Sequence, residues 1–66
     1  MPSTVIRRYE YDEAGERLII EFVTGRRYAY ARVPPELYEA MTRVTSKGAF
    51  FNRKIRDNYP FERLRS

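Results

Sequence analysis

The stretch from Leu18 to Val33, LIIEFVTGRRYAYARV, constrains this chain more than any other. Two runs rich in β-branched and aromatic residues flank a single Gly25, which is the pattern of a β-hairpin. In the second run Tyr28 and Tyr30 stand two positions apart and so project from one face of the strand. The turn decides which face that is, because a register shift of one residue moves every side chain to the other side of the sheet. A two-residue Thr24–Gly25 loop needs positive φ at Thr24, which a β-branched residue resists; a three-residue loop closed by Gly25 after a type I turn does not. The three-residue loop is therefore preferred. It pairs Phe22 with Arg26 and gathers Leu18, Ile20, Phe22, Tyr28 and Tyr30 on one face.

A chain of 66 residues makes one domain, residues 1–66, and buries only about 60% of the surface its unfolded form exposes. Its six Tyr and four Phe are accordingly claimed first by the core, each able to bury roughly 150 to 250 Å². With no Cys and no His the chain forms no disulfide and lacks the usual thiolate and imidazole ligands of zinc; no cofactor is expected. No apolar run is long enough for a membrane span, and MPSTVIRRYEY lacks the apolar core of a signal peptide, so a cytoplasmic location is the expectation.

The rest of the chain arranges itself around the hairpin. Val5 to Tyr11, VIRRYEY, suits a first strand, with a bulge where Arg7 and Arg8 interrupt the alternation. The acidic DEAGE at Asp12 to Glu16 reads as a turn in which Gly15 takes the left-handed conformation, leading into a second strand from Arg17 to Val23. Pro34 and Pro35 end the third strand and start a helix running to about Val44, with Glu36 in its first turn. On it Leu37, Met41 and Val44 form an apolar stripe beside Tyr38. Ser46 then caps a second helix, SKGAFFNRKIRDN, whose inward stripe is Gly48, Phe51, Asn52 and Ile55. The tail, Tyr59-Pro60-Phe61 with Leu64, folds back onto the body, leaving Arg65 and Ser66 free. The expected fold is α+β: a three-stranded antiparallel meander followed by two helices packed on one sheet face.

These residues resemble the KTSC domain, a small module found at the C-terminus of some lysyl-tRNA synthetases and as stand-alone bacterial proteins. The resemblance runs through Ser3, Ile6, Tyr11-Asp12, Leu18, Ile20, Phe22 and Gly25 to Tyr28-Ala29-Tyr30. It continues with Val33-Pro34, Tyr38, Ser46-Lys47-Gly48, Phe51-Asn52, Ile55 and Tyr59. The departure is the polar Arg7-Arg8 pair, where the family is more apolar. What the resemblance implies for activity is RNA binding, suggested by attachment to a tRNA-charging enzyme.

The net charge of +4 is unevenly placed. Met1 to Val33 holds six basic and five acidic residues, Arg43 to Ser66 seven basic and two acidic. Lys47, Arg53, Lys54 and Arg56, with Arg43 and further Arg63 and Arg65, are candidates for phosphate contact. An ordinary solvated helix face is the competing account, and an Arg53–Asp57 pair would weaken the patch. Tyr28 and Tyr30 are either a stacking platform for unpaired bases or, in the preferred register, core beneath the helices with hydroxyls at the rim. Asn52 on the inward stripe calls for a structural hydrogen bond to strand or loop backbone. Asp12, Glu13 and Glu16 match no Ca²⁺ loop. Without His or a carboxylate pair the residues argue against an enzyme. The functional expectation is a non-catalytic module binding tRNA or single-stranded RNA through the basic second helix. The alternative is a protein-interaction or self-association module, motivated by Ile19 and Val23 on the other sheet face and by open sheet edges.

Overall fold

Gly25, at φ 92°, closes the central hairpin of the computed structural model, which describes residues 5–64. Ser3, Arg65 and Ser66 lie outside the described residues. The Phe22 amide donates to the Arg26 carbonyl at 2.9 Å and the Gly25 amide to the Phe22 carbonyl at 2.9 Å, the three-residue loop expected from the steric cost at Thr24. Strand β2 (Arg17–Phe22) accordingly pairs with β3 (Arg27–Tyr30) so that Ile20 opposes Tyr28 and Leu18 opposes Tyr30.

Strand β1 (Ile6–Asp12) pairs antiparallel with β2, and its register shifts between Ile6 and Arg8. Arg7 is thus the extra residue of a bulge. The bulge reconciles the Arg7-Arg8 pair with a strand: beyond it Tyr9 and Tyr11 face the core side opposite Ile20 and Leu18. In the following turn the left-handed residue is Glu16, φ 52°, not Gly15. The Gly15 amide instead reaches the Asp12 carboxylate at 3.4 Å, an Asx-type contact that shapes the turn locally.

The sheet has four strands rather than the three expected. β4 (Phe61–Leu64) lies antiparallel to β3, opposing Phe61 to Tyr30 and Arg63 to Tyr28, giving the order β1-β2-β3-β4. The tail does fold back, but onto the free edge of β3 rather than onto the helices. An uncovered edge presents unpaired amides and carbonyls, and pairing satisfies them. The ladder begins where the Ala31 amide donates to the Pro60 carbonyl at 2.9 Å.

Helix α1 (Pro35–Arg43) starts with Pro34 as its cap and ends at Val44, whose backbone is extended. Helix α2 (Lys47–Lys54) is capped by Ser46, whose hydroxyl accepts from the Ala49 amide at 3.4 Å. It ends four residues short of Asn58, the expected last residue. The Asn58 side-chain amide donates to the Lys54 carbonyl at 3.0 Å, satisfying a helix-end acceptor and turning the chain towards β4. The two helices cover one sheet face. Leu18, Ile20, Phe22 and Tyr30 from the sheet, Val33 from the linker, and Met41, Phe51 and Ile55 from the helical segment form a single buried cluster. Among the described residues no helix is long and apolar enough to cross a membrane.

Candidate nucleic-acid interface

The two helices divide the sheet between them. Tyr38 of α1 lies over β1, its ring stacked on Tyr11 at 4.6 Å and edge-on to Tyr9 at 6.1 Å. Phe51 of α2 lies over β2 and β3, edge-on to Phe22 at 5.4 Å and to Tyr30 at 5.2 Å. Neither aromatic set extends over β4. Phe61 packs against Tyr28 at 5.6 Å and Tyr30 at 5.4 Å yet remains 58% exposed.

This geometry separates the two tyrosines. Tyr30 is 4% exposed, enclosed by Phe51 and Phe61, so no face of its ring is left for a base; its assignment as a contact residue is corrected to core. Burial, reinforced by the neighbouring Tyr28 and by Asp57 and opposed by Arg56, pushes its hydroxyl up to about 12. The same influences put the turn after α2 beside the rim of β3. Tyr28 is half-buried, flanked by Phe22 at 5.9 Å and Tyr30 at 6.5 Å as well as by Phe61.

The basic residues fall into two groups. Arg53 and Lys54 are exposed in the last turn of α2, and Arg56 follows them, donating to the Asn52 side-chain oxygen at 2.9 Å. Arg43 is exposed at the end of α1, while half-buried Lys47 donates to the Val44 carbonyl at 3.2 Å and so serves the helix junction. Asn52 is exposed, not inward. Phe51 and Ile55 are the buried pair of this segment, and the next position round from Phe51 turns away by about 100°. Among the described residues the one ion pair is Arg8–Glu21 at 3.7 Å; the Arg53–Asp57 pair does not form.

The outer sheet face has a different character. Arg8, Glu21, Arg27 and Leu64 make one row across the strands, and Glu10, Ile19, Ala29 and Glu62 the next. Ile19 lies half-buried between Glu10 and Ala29, with Arg17 and Glu21 two residues away along β2, and no aromatic side chain faces outward along these rows. Sequence reasoning had no strand for Phe61 and so missed its place beside Tyr28. The available signal was a large apolar residue directly after a proline, at the head of a short run able to pair.

Together these features define a small α+β domain with an aromatic core under two helices and a basic corner where the second helix ends. Residues 2–59 match the KTSC domain model, and the chain belongs to that family. It is 38% identical over 62 residues to a lysine–tRNA ligase of Nostoc punctiforme, covering 94% of this chain and 11% of the ligase. It is 32% identical to an uncharacterised protein of Stutzerimonas stutzeri over 89% of this chain and 83% of that one. The crystal structure of a KTSC domain protein from Yersinia pestis superposes with a TM-score of 0.85 at 28% identity, over 97% of this chain and 90% of that one. The domain thus occurs both within a much longer ligase and as most of a small protein. Among the described residues no cluster of carboxylates could hold a metal ion.

Proposed function

We propose that this KTSC domain binds RNA, tRNA or single-stranded, through the basic corner formed by Arg53, Lys54 and Arg56, with Arg43 at the helix junction. The observation that carries the reading is charge segregation. Between Arg43 and Leu64 six basic residues stand against two acidic ones, and Arg43, Arg53, Lys54 and Arg56 are exposed and outside any ion pair among the described residues. On the outer sheet face Glu21 lies between Arg8 and Arg27 and pairs with Arg8 instead. Phosphate contacts need accessible, unneutralised cations, and Arg suits bidentate contact. The occurrence of this domain in lysine–tRNA ligases supports an RNA setting; the chain spans 11% of that ligase's length, and only the setting is taken from it.

The test is a titration of tRNA and of a single-stranded oligoribonucleotide at several salt concentrations. Affinity is expected to fall with salt, and Arg53→Ser/Lys54→Ser/Arg56→Ser to reduce the log–log slope by about two to three. Absence of binding, or a Kd unmoved by salt, overturns the proposal. A second reading, self-association, draws on Val5 and Val23, exposed by 57% and 50% and joined by a hydrogen bond from the Val23 amide to the Val5 carbonyl at 3.2 Å. Light scattering separates the two, because the triple serine variant would leave association intact.

A further inference from the structure

Phe51 of helix α2 packs on Phe22 and Tyr30, and among the described residues no ring contact joins it to Phe61. β4 therefore carries a ring that packs on the tyrosines of β3 and is otherwise largely exposed. Phe61 meets Tyr28 edge-on, 84° between planes, and lies tilted by 34° against Tyr30, yet more than half its surface faces solvent. Arg63 stands two residues further along and directly opposite Tyr28, so it projects from the same face, and it too is exposed. Two strand residues span about 7 Å, the scale of one nucleotide. The intervening Glu62 pairs with Ala29 and points to the opposite face, which keeps its carboxylate away from this ledge.

A ring held by its neighbours and largely exposed suits a planar partner, and an adjacent guanidinium suits the anion attached to it. Bases inside a duplex have their faces covered by their neighbours, so only an unpaired base can lie on such a ring. We infer that Phe61, backed by Tyr28, is the stacking surface for one unpaired base and that Arg63 holds the adjoining phosphate, so the RNA taken by this domain is single-stranded there. This rests on the RNA-binding reading above and deepens it. Stacking of this kind tolerates any base, because every base has a π-face; the site sets strandedness rather than sequence.

The sequence contains no Trp, so Phe61→Trp carries a single indole at the ledge, and Phe61→Leu keeps apolar bulk without a π-face. The probes are a uridine oligoribonucleotide and a blunt RNA duplex of equal length. The oligonucleotide is expected to quench the indole of Phe61→Trp strongly and the duplex weakly. Phe61→Leu should weaken single-strand binding by at least about fivefold while leaving duplex affinity unchanged. Arg63→Ser should lower the single-strand salt slope by about one. No binding of either RNA by the unaltered chain overturns both readings. Single-strand binding that Phe61→Leu leaves unaltered, or that does not change the Phe61→Trp emission at saturation, overturns this inference alone. Folding of each variant is checked by circular dichroism, and the Phe61→Trp emission decides the question if Phe61→Leu does not fold.

Discussion

Tyr11 holds Tyr38 in a parallel stack, ring centroids 4.6 Å apart and planes 10° from coplanar, while its hydroxyl donates to the Val33 carbonyl at 2.5 Å. One side chain at the end of β1 therefore fastens the outer strand both to α1 and to the linker that leads into it. Burial, with Glu16, Glu13, Glu36 and Asp12 nearby, raises the Tyr11 hydroxyl above its ordinary value.

Separating the two functions of Tyr11 gives the first prediction. Tyr11→Phe removes the hydrogen bond and keeps the stack, so stability should fall by about 1 kcal/mol. Tyr38→Ala removes ring contacts to both Tyr9 and Tyr11 and should cost more, about 2 to 3 kcal/mol given a half-buried ring. Urea unfolding followed by circular dichroism measures both. A loss in Tyr38→Ala no larger than that in Tyr11→Phe would mean that the ring stack contributes no more than the one hydrogen bond.

Gly25 allows a cleaner separation of backbone from packing. Its φ is 92° and a Cβ placed there would meet nothing within 4 Å. Any loss in Gly25→Ala is therefore conformational, and about 1 to 2 kcal/mol is expected. Gly25→Asn should lose less, since Asn tolerates positive φ better. The urea midpoints of the two variants, compared with the unaltered chain, check the order.

The fourth strand is tested at Glu62. Ladder pairs alternate in an antiparallel sheet, and Ala31 bonds to Pro60, so Ala29 and Glu62 are the next hydrogen-bonded pair. Glu62→Pro removes that donor and should release β4, lowering the thermal midpoint and speeding amide exchange at Ala31. Glu62→Thr, which keeps the amide and favours strands, should leave exchange slow. Rapid exchange at Ala31 in the unaltered chain would contradict a stable fourth strand.

How far such features can be read from residues depends on whether local chemistry decides them. The hairpin register is legible because Thr24 and Gly25 differ sharply in their tolerance of positive φ, and that one contrast places Tyr28 and Tyr30 on the helix side. The bulge at Arg7 is legible as a break in alternation. β4 is not, because in FERL the apolar Phe61 and Leu64 fall on opposite faces and neither face reads as buried; the strand is fixed by the open edge of β3, a non-local cause. Asn52 misleads for a related reason. It adjoins Phe51 in sequence and sits near the edge of the stripe, where only the position of the sheet decides which side is inward. The basic corner is visible as a charge bias, but that it includes the end of α2 and excludes the junction-bound Lys47 depends on three-dimensional contacts.

Alkaline titration supplies the last prediction. Tyr30, at about 12 in the folded chain, returns to the ordinary value near 10 on unfolding. Below pH 10 both states keep the proton and stability does not depend on this group. Between about 10 and 12 the unfolded chain releases it and the folded chain does not, so unfolding gains and stability falls with rising pH, by at most about 1.4 kcal/mol per pH unit for one group. Tyr11 is raised as well and acts in the same direction. The urea midpoint should therefore hold steady from pH 7 to 9 and drop steeply above 10. Tyr30→Phe removes the hydroxyl while keeping the ring between Phe51 and Phe61, and its midpoint should fall less steeply over the same range. Absorbance at the tyrosinate band should then show Tyr30 ionising only as the sheet opens. A Tyr30→Phe profile parallel to that of the unaltered chain would show that the buried hydroxyl does not govern the alkaline transition.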